Sequence, residues 1–345
     1  MKKYIFFFFL MSASCKAVVA QVKPFQFEQI MVNAGERKSF PLSVKSNSGD
    51  QTEIPMTIIH GTSSGPVLGL IAGIHGYEYP PIIALQSLHL QIDPAQVSGT
   101  IIMVHIANVP AFLGRTIYYN PVDGKNLNRQ FPGNKGGTLS EVMAWTIANK
   151  IMATCNLLVD IHAGDGSEDL HPYVGYYEFG QQTGKAKQMA YALGFSWLIP
   201  SENTPKPGAP TVYCSAEGIS RGIPTVAIEY GKLGQADAQQ GAFINERLVN
   251  MMRSLKMLPG EPRVYNNPVV IQKRTSITSE HTGVFVPATS SGEIIRKGML
   301  LGRITDFYGT VAQDIFSPVD GFVIYMLATP PVNKGETLFS IAVTD

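Results

Sequence analysis

The sequence predicts an α/β protein: a mostly parallel or mixed sheet with helices on both faces, followed by an all-β C-terminal unit. Three observations carry this. Short, almost unbroken apolar runs alternate with segments of helical period as far as residue 255. Such runs suit strands buried on both faces, which a largely parallel sheet requires. Beyond residue 262 the helical period disappears, and short β-rich runs are broken by Gly, Pro, Ser and Asn.

In chain order, residues 21–60 read as short strands and turns. The apolar run 66–74 is the first buried strand and closes on Gly-Ile-His-Gly. Residues 82–90 read as a helix and 100–106 as a second buried strand. Thr138 and Glu141 have capping-box spacing, and Leu139, Met143, Ile147 and Ile151 follow at helical intervals. Residues 157–161 and 224–228 are further buried strands, and 182–193 and 237–255 further helices. Pro259, Gly260 and Pro262 mark a linker. The chain therefore divides into residues 21–260 and a β-rich domain, 261–345.

Composition narrows the function. With 45% hydrophobic and 15% charged residues, the 345-residue chain has ample core. A net charge of +1 offers no footprint for nucleic acid. Three cysteines without a CxxC exclude a disulfide scaffold or a cysteine-zinc domain. Lys2 and Lys3, the short apolar stretch 4–11, and small residues Val18 and Ala20 before Gln21 predict a signal peptide over residues 1–20. The expectation is an exported, periplasmic or secreted protein, with lipidation at Cys15 as the alternative route to the envelope. The remaining chain has 24 basic and 26 acidic groups, no spanning apolar run, and two cysteines, Cys155 and Cys214, whose pairing spacing leaves open.

Chemistry concentrates at strand ends. His75 and Glu78, three apart, follow the first buried strand, and His162 follows the run 157–161. Functional groups in open α/β sheets gather beyond the C-terminal strand ends. Two His and one Glu form a common catalytic zinc set with a fourth position for water. Asp160, two residues before His162, is placed to orient that ligand. Asn128 and Arg129 lie in a loop, where guanidinium grips carboxylates bidentately. Glu229 ends the run 224–228 and is placed to act as a general base. Spacing alone leaves open that these are ordinary polar residues at loop ends.

His75-x-x-Glu78, Asn126-Leu-Asn128-Arg129, Asp160-Ile-His162 and Ile228-Glu229-Tyr-Gly together resemble the succinylglutamate desuccinylase/aspartoacylase family, over residues 50–345. That family shares the fold and chemistry of zinc carboxypeptidases. The resemblance implies one Zn²⁺ per chain held by His75, Glu78 and His162, with Glu229 as the base. Arg115 falls near the position of an arginine that stabilises the oxyanion. Asn128 and Arg129 match the pair that binds a substrate carboxylate. The implied activity is hydrolysis of a small N-acyl amino acid by attack of a metal-bound water. Arg221 is out of register with a second carboxylate-binding arginine, which puts an acidic substrate in doubt. Relatives carry tyrosines that line the pocket, and Tyr173, Tyr176, Tyr177 and Tyr213 are the candidates here, with packing as the favoured reading of each; Asp165 and Glu168 read equally as pocket residues or a solvated loop.

Residues 261–345 resemble a biotinyl/lipoyl-type barrel, but no Lys stands near Tyr325 for acylation, so the domain is expected to cover one side of the site. Gly61-Thr-Ser63-Ser-Gly65 fits a nucleophile elbow in letters only, because a strand rather than a helix follows. The alternatives are a periplasmic metallocarboxypeptidase acting on short or cell-wall peptides, and a non-catalytic binding protein on the same fold. The second would lack a ligand or the base, and all four positions are filled here.

Overall fold

The computed structural model describes residues 22–178, 180–201 and 209–343. The expected signal peptide and Cys15 lie outside them. The central feature is a nine-stranded mixed sheet. In chain order its strands are β1 (Glu36–Lys45), β2 (Gln51–His60), β3 (Ser63–Ala72), β4 (Ser98–Val104), β5 (Leu157–His162), β6 (Tyr173–Tyr177), β7 (Trp197–Ser201), β8 (Thr225–Glu229) and β9 (Val269–Val270). Across the sheet they run β9-β7-β6-β8-β5-β3-β4-β2-β1. The middle four, β8-β5-β3-β4, are mutually parallel.

All six residues of β5 are buried, which explains its unbroken apolar run. Helices cover both faces. Tyr79–Gln91, Thr183–Leu193 and Ala238–Ser254 pack on one, where Leu85, Met189 and Leu248 share a core with Leu70 and Val159. The helix Leu139–Thr146 lies on the other, with Met143 and Ile147 packed among Ile71, Ile102 and Leu158. Glu141 accepts the Thr138 N–H at 2.8 Å, and Thr138 and Glu141 form the capping box that their spacing predicts. Among the described residues no helix is long and apolar enough to cross a membrane.

Two differences from the sequence expectation stand out. Residues 36–60 form one long hairpin of two ten-residue strands rather than short pieces. The helix 139–151 changes to a wider π turn over Ile147–Ile151. Past residue 270 the chain forms two antiparallel sheets around Phe285, Leu301, Val323 and Phe339, as an all-β unit should. Val269–Val270, which lies beyond the 260/261 division, still belongs to the main sheet. The short strand Glu168–Leu170 leaves the α/β unit and pairs with Gly321–Leu327, joining the two units beside the site.

Candidate functional site

Parallel register brings the ends of β3, β5 and β8 level. Ala72 pairs with Ile161, and Glu229 pairs with His162. Gly73 then turns the chain at φ +69°, and Gly231 does so after β8 at φ +116°. A side chain at either position is strained by that left-handed backbone, and at Gly231 it would also meet Pro80 at 2.7 Å. These turns deliver His75, Glu78, His162 and Glu229 to one cleft of about 930 Å³. Its size is that of a small-molecule site.

Glu78 is the N-cap of the helix Tyr79–Gln91, yet its side chain caps nothing. It faces both imidazoles instead, with Oε1 2.5 Å from His75 Nδ1 and Oε2 2.9 Å from His162 Nδ1. The other nitrogens also face oxygen. His75 Nε2 lies 3.2 Å from Asn126 Oδ1, which is fixed as the acceptor because it takes the Asn128 N–H. His162 Nε2 lies 3.1 Å from Asp160 Oδ1, close but out of line for a hydrogen bond. A neutral imidazole has one N–H, so each ring meets one more acceptor than it can serve. Protonation resolves this, and so does a cation shared by the two Nδ1 atoms and the carboxylate. One ligand atom from each of the three residues lies within 4.8 Å of the others, and all three side chains are buried. A nitrogen-rich, three-donor set with oxygen partners behind the imidazoles fits zinc.

The electrostatics agree. Burial alone would raise Glu78, but the two imidazoles outweigh it and hold the carboxyl down at about 2. Burial would lower His162, and Asp160 and Glu78 override it upward. Glu229 moves the other way. Burial pushes it well above the usual carboxyl range, His162 opposes this, and the surrounding Glu78, Glu168 and Asp160 add to the rise. Side chains alternate faces along a strand, so Asp160 and His162 share one face of β5. We expect Asp160→Asn to weaken metal binding roughly 10–100-fold; zinc competition against a chromogenic chelator measures this.

Asn128 and Arg129 also line the cleft. Asn128 is buried, and its Oδ1 accepts the Cys214 N–H at 2.8 Å. The Arg129 guanidinium stacks 4.6 Å over the Tyr213 ring and donates to the Asn128 carbonyl. Arg115 is not brought in. It is exposed at the end of the short helix Val109–Gly114 and does not line the cleft. The intervening chain doubles back, with Tyr119 bridged to Asn126, so Asn126 rather than Arg115 arrives beside His75. Arg221 is also outside, paired with Glu217.

Tyr173, Tyr177 and Tyr213 line the cleft, and only Tyr176 is core packing. The period of two in β6 separates them. Glu168 lines the cleft and Asp165 is fully buried, so neither belongs to a solvated loop. Cys155 and Cys214 are buried and unpaired. Sequence reasoning missed Tyr118, Lys125 and Arg274 in the lining. Arg274 had no signal, because it comes from the C-terminal unit, 112 positions after His162.

A mixed sheet with helices on both faces, carrying a buried two-histidine, one-carboxylate cluster and a second carboxyl at its strand ends, defines an α/β protein with a candidate metal centre. The catalytic-domain model of the succinylglutamate desuccinylase/aspartoacylase family matches residues 64–255, and the chain belongs to that family. It is 27% identical over 312 residues to an N-alpha-acetyl-L-2,4-diaminobutyric acid deacetylase from Halomonas elongata, covering 88% of this chain and 89% of that one. Solved structures share the fold. The ectoine utilization protein EutE (DoeB) from Ruegeria pomeroyi, in a product-bound form, has a TM-score of 0.79 at 23% identity, covering 90% of this chain and 95% of that one. A succinylglutamate desuccinylase/aspartoacylase from Rhodobacter sphaeroides has a TM-score of 0.78 at 23% identity, covering 90% and 96%.

Proposed function

We propose that this protein is a zinc-dependent hydrolase that cleaves the amide bond of a small N-acyl amino acid. The observation that carries the reading is the convergence of His75, Glu78 and His162 in one cleft with Glu229. The name of the Halomonas relative supports deacylation.

His75, Glu78 and His162 would hold the zinc, which when bound supplies Lewis acidity toward the acyl carbonyl and toward water. The remaining work belongs to the chain's own groups. Glu229, raised by burial, accepts a proton from the attacking water and returns it to the departing amine. Asp160 and Asn126 stand behind the imidazoles and fix their orientation. Arg129, held in place by Tyr213, anchors the substrate carboxylate beside Asn128. Arg115 receives no step. Lys125, Arg129 and Arg274 are the cationic side chains in the lining.

Residues 1–20 support export, so the processed chain is expected to begin at Gln21 in the periplasmic or secreted fraction; N-terminal sequencing of that fraction checks it. The same segment keeps a carboxypeptidase acting on cell-wall peptides as the second reading. A single panel separates them: amine release from N-acyl amino acids, dipeptides and muropeptides by zinc-replete protein lacking residues 1–20. Turnover of acyl amino acids supports the deacylase. Turnover of peptides alone replaces it with the carboxypeptidase, and silence from zinc-loaded protein contradicts both.

A further inference from the structure

Arg115 stands outside the cleft, so the oxyanion that water attack creates lacks its expected donor. We propose that the Tyr173 hydroxyl takes that place and donates a hydrogen bond to the tetrahedral oxyanion. The proposal rests on the deacylase reading and adds a catalytic residue to it.

Sheet register places this residue. β6 runs antiparallel to β8 with Tyr173 opposite Glu229, and β5 runs parallel to β8 with His162 opposite Glu229. Residues opposite one another on neighbouring strands share a face, and strands lie about 4.8 Å apart. His162, Glu229 and Tyr173 therefore form one row across three strands, and all three line the cleft. The row sets a donor of the metal cluster, the base and a phenol side by side. Two residues further along β6, Gly175 faces Ala227. Neither side chain is large enough to fill the space between Tyr173 and Tyr177. The Tyr173 ring packs against the cluster of Trp197, Ile271 and Ile324, where the two units meet. Packing of the ring thus fixes the approach of the hydroxyl, as a preorganised donor requires.

The other donors in the lining are occupied or lie at the rim. Tyr118 donates to Glu168 at 3.0 Å, and the Tyr177 hydroxyl lies 3.4 Å from that of Ser215. Lys125 is paired with Glu141, and Arg129 is stacked on Tyr213 and bonded to the Asn128 carbonyl. Tyr119 and Tyr213 are 57% and 41% exposed, and Arg274 is exposed as well. Among the described residues the Tyr173 hydroxyl has no hydrogen-bond partner, so its proton is available to a bound molecule. A phenol keeps that proton at neutral pH.

In the proposed step Glu229 takes a proton from water as the water oxygen bonds to the acyl carbon, and the carbonyl π pair moves onto its oxygen. Tyr173 donates a hydrogen bond to that oxygen and keeps its proton. When the pair returns, the carbon–nitrogen bond breaks and the proton on Glu229 passes to the departing amine. A donor aimed at charge that develops only on the way to the intermediate raises kcat rather than tightening substrate binding.

The test is Tyr173→Phe in zinc-replete protein lacking residues 1–20, assayed on the N-acyl amino acids of the substrate panel. We expect kcat to fall about 10²–10³-fold, with KM, zinc stoichiometry and melting temperature close to wild type because the ring remains. Tyr176→Phe, which removes a hydroxyl from the buried face of the same strand, should leave kcat unchanged. The second readout is binding of the methylphosphonamidates of the same amino acids, whose tetrahedral anionic group imitates the intermediate. Tyr173→Phe should weaken their binding by about the factor lost in kcat/KM, and leave binding of the free amino acids unaltered. Unchanged kcat, or unchanged phosphonamidate affinity, in folded and zinc-loaded Tyr173→Phe overturns the proposal. If the wild type turns over nothing, the deacylase reading fails, and phosphonamidate binding alone decides on Tyr173: equal affinity in both proteins, or binding to neither, overturns it.

Discussion

Glu229→Gln is expected to lower kcat by about 10²–10⁴-fold while leaving zinc stoichiometry unchanged. The amide keeps the size of the side chain and removes its ability to take a proton. Glu229 is not one of the three clustered donors, so the metal should remain. The sign of the pH dependence follows from burial. A base must be ionised to work, and burial lifts Glu229 well above the ordinary carboxyl range. Activity should therefore fall as pH drops through that raised value, and the residual activity of the Gln variant should lack the same limb. Steady-state kinetics across pH, with elemental analysis of the same samples, measure both effects. A Gln variant with near-wild-type kcat would remove Glu229 from the chemistry.

Loss of the metal cluster should have the other large effect. His162→Ala removes a buried donor and leaves both Glu78 Oε2 and Asp160 Oδ1 without their imidazole. Zinc should no longer be retained through dialysis, and turnover should fall to background. Stability is the informative control. Without His162, Glu78 and Asp160 face each other's charge in a buried cleft, so the variant should also melt at a lower temperature. Glu78→Gln keeps the shape and takes away one anionic donor. It should lose zinc with a smaller effect on melting, because no carboxylate is left without its partner at that position. Elemental analysis and thermal melts of the two variants separate metal binding from packing.

Much of this site was legible in the sequence because parallel strands deliver their ends to one place. His75 and His162 each follow an apolar run, and strand register alone made them neighbours. Asp160 under His162 follows from the two-residue period of β5. The unread parts depend on folds that local period does not encode. Arg115 is expected near the oxyanion, but the chain folds back between it and Arg129, closing Tyr119 on Asn126, and leaves Arg115 outside the cleft. Only the alternation of β6 separates Tyr176 from Tyr173 and Tyr177, and no unbroken apolar run marks that strand in the sequence. Arg274 comes from a different unit, docked where Glu168–Leu170 pairs with Gly321–Leu327. The C-terminal unit therefore does more than cover the cleft, since it contributes a cation to the lining and holds the strand that presents Glu168.

The measurement that bears most directly on the central claim is a zinc titration of metal-stripped protein lacking residues 1–20, with amine release from an N-acyl amino acid followed at each addition. The account predicts negligible activity without metal, a linear rise, and saturation at one zinc per chain. Full turnover by the stripped protein, or zinc binding at one equivalent that leaves amine release at background, would contradict it.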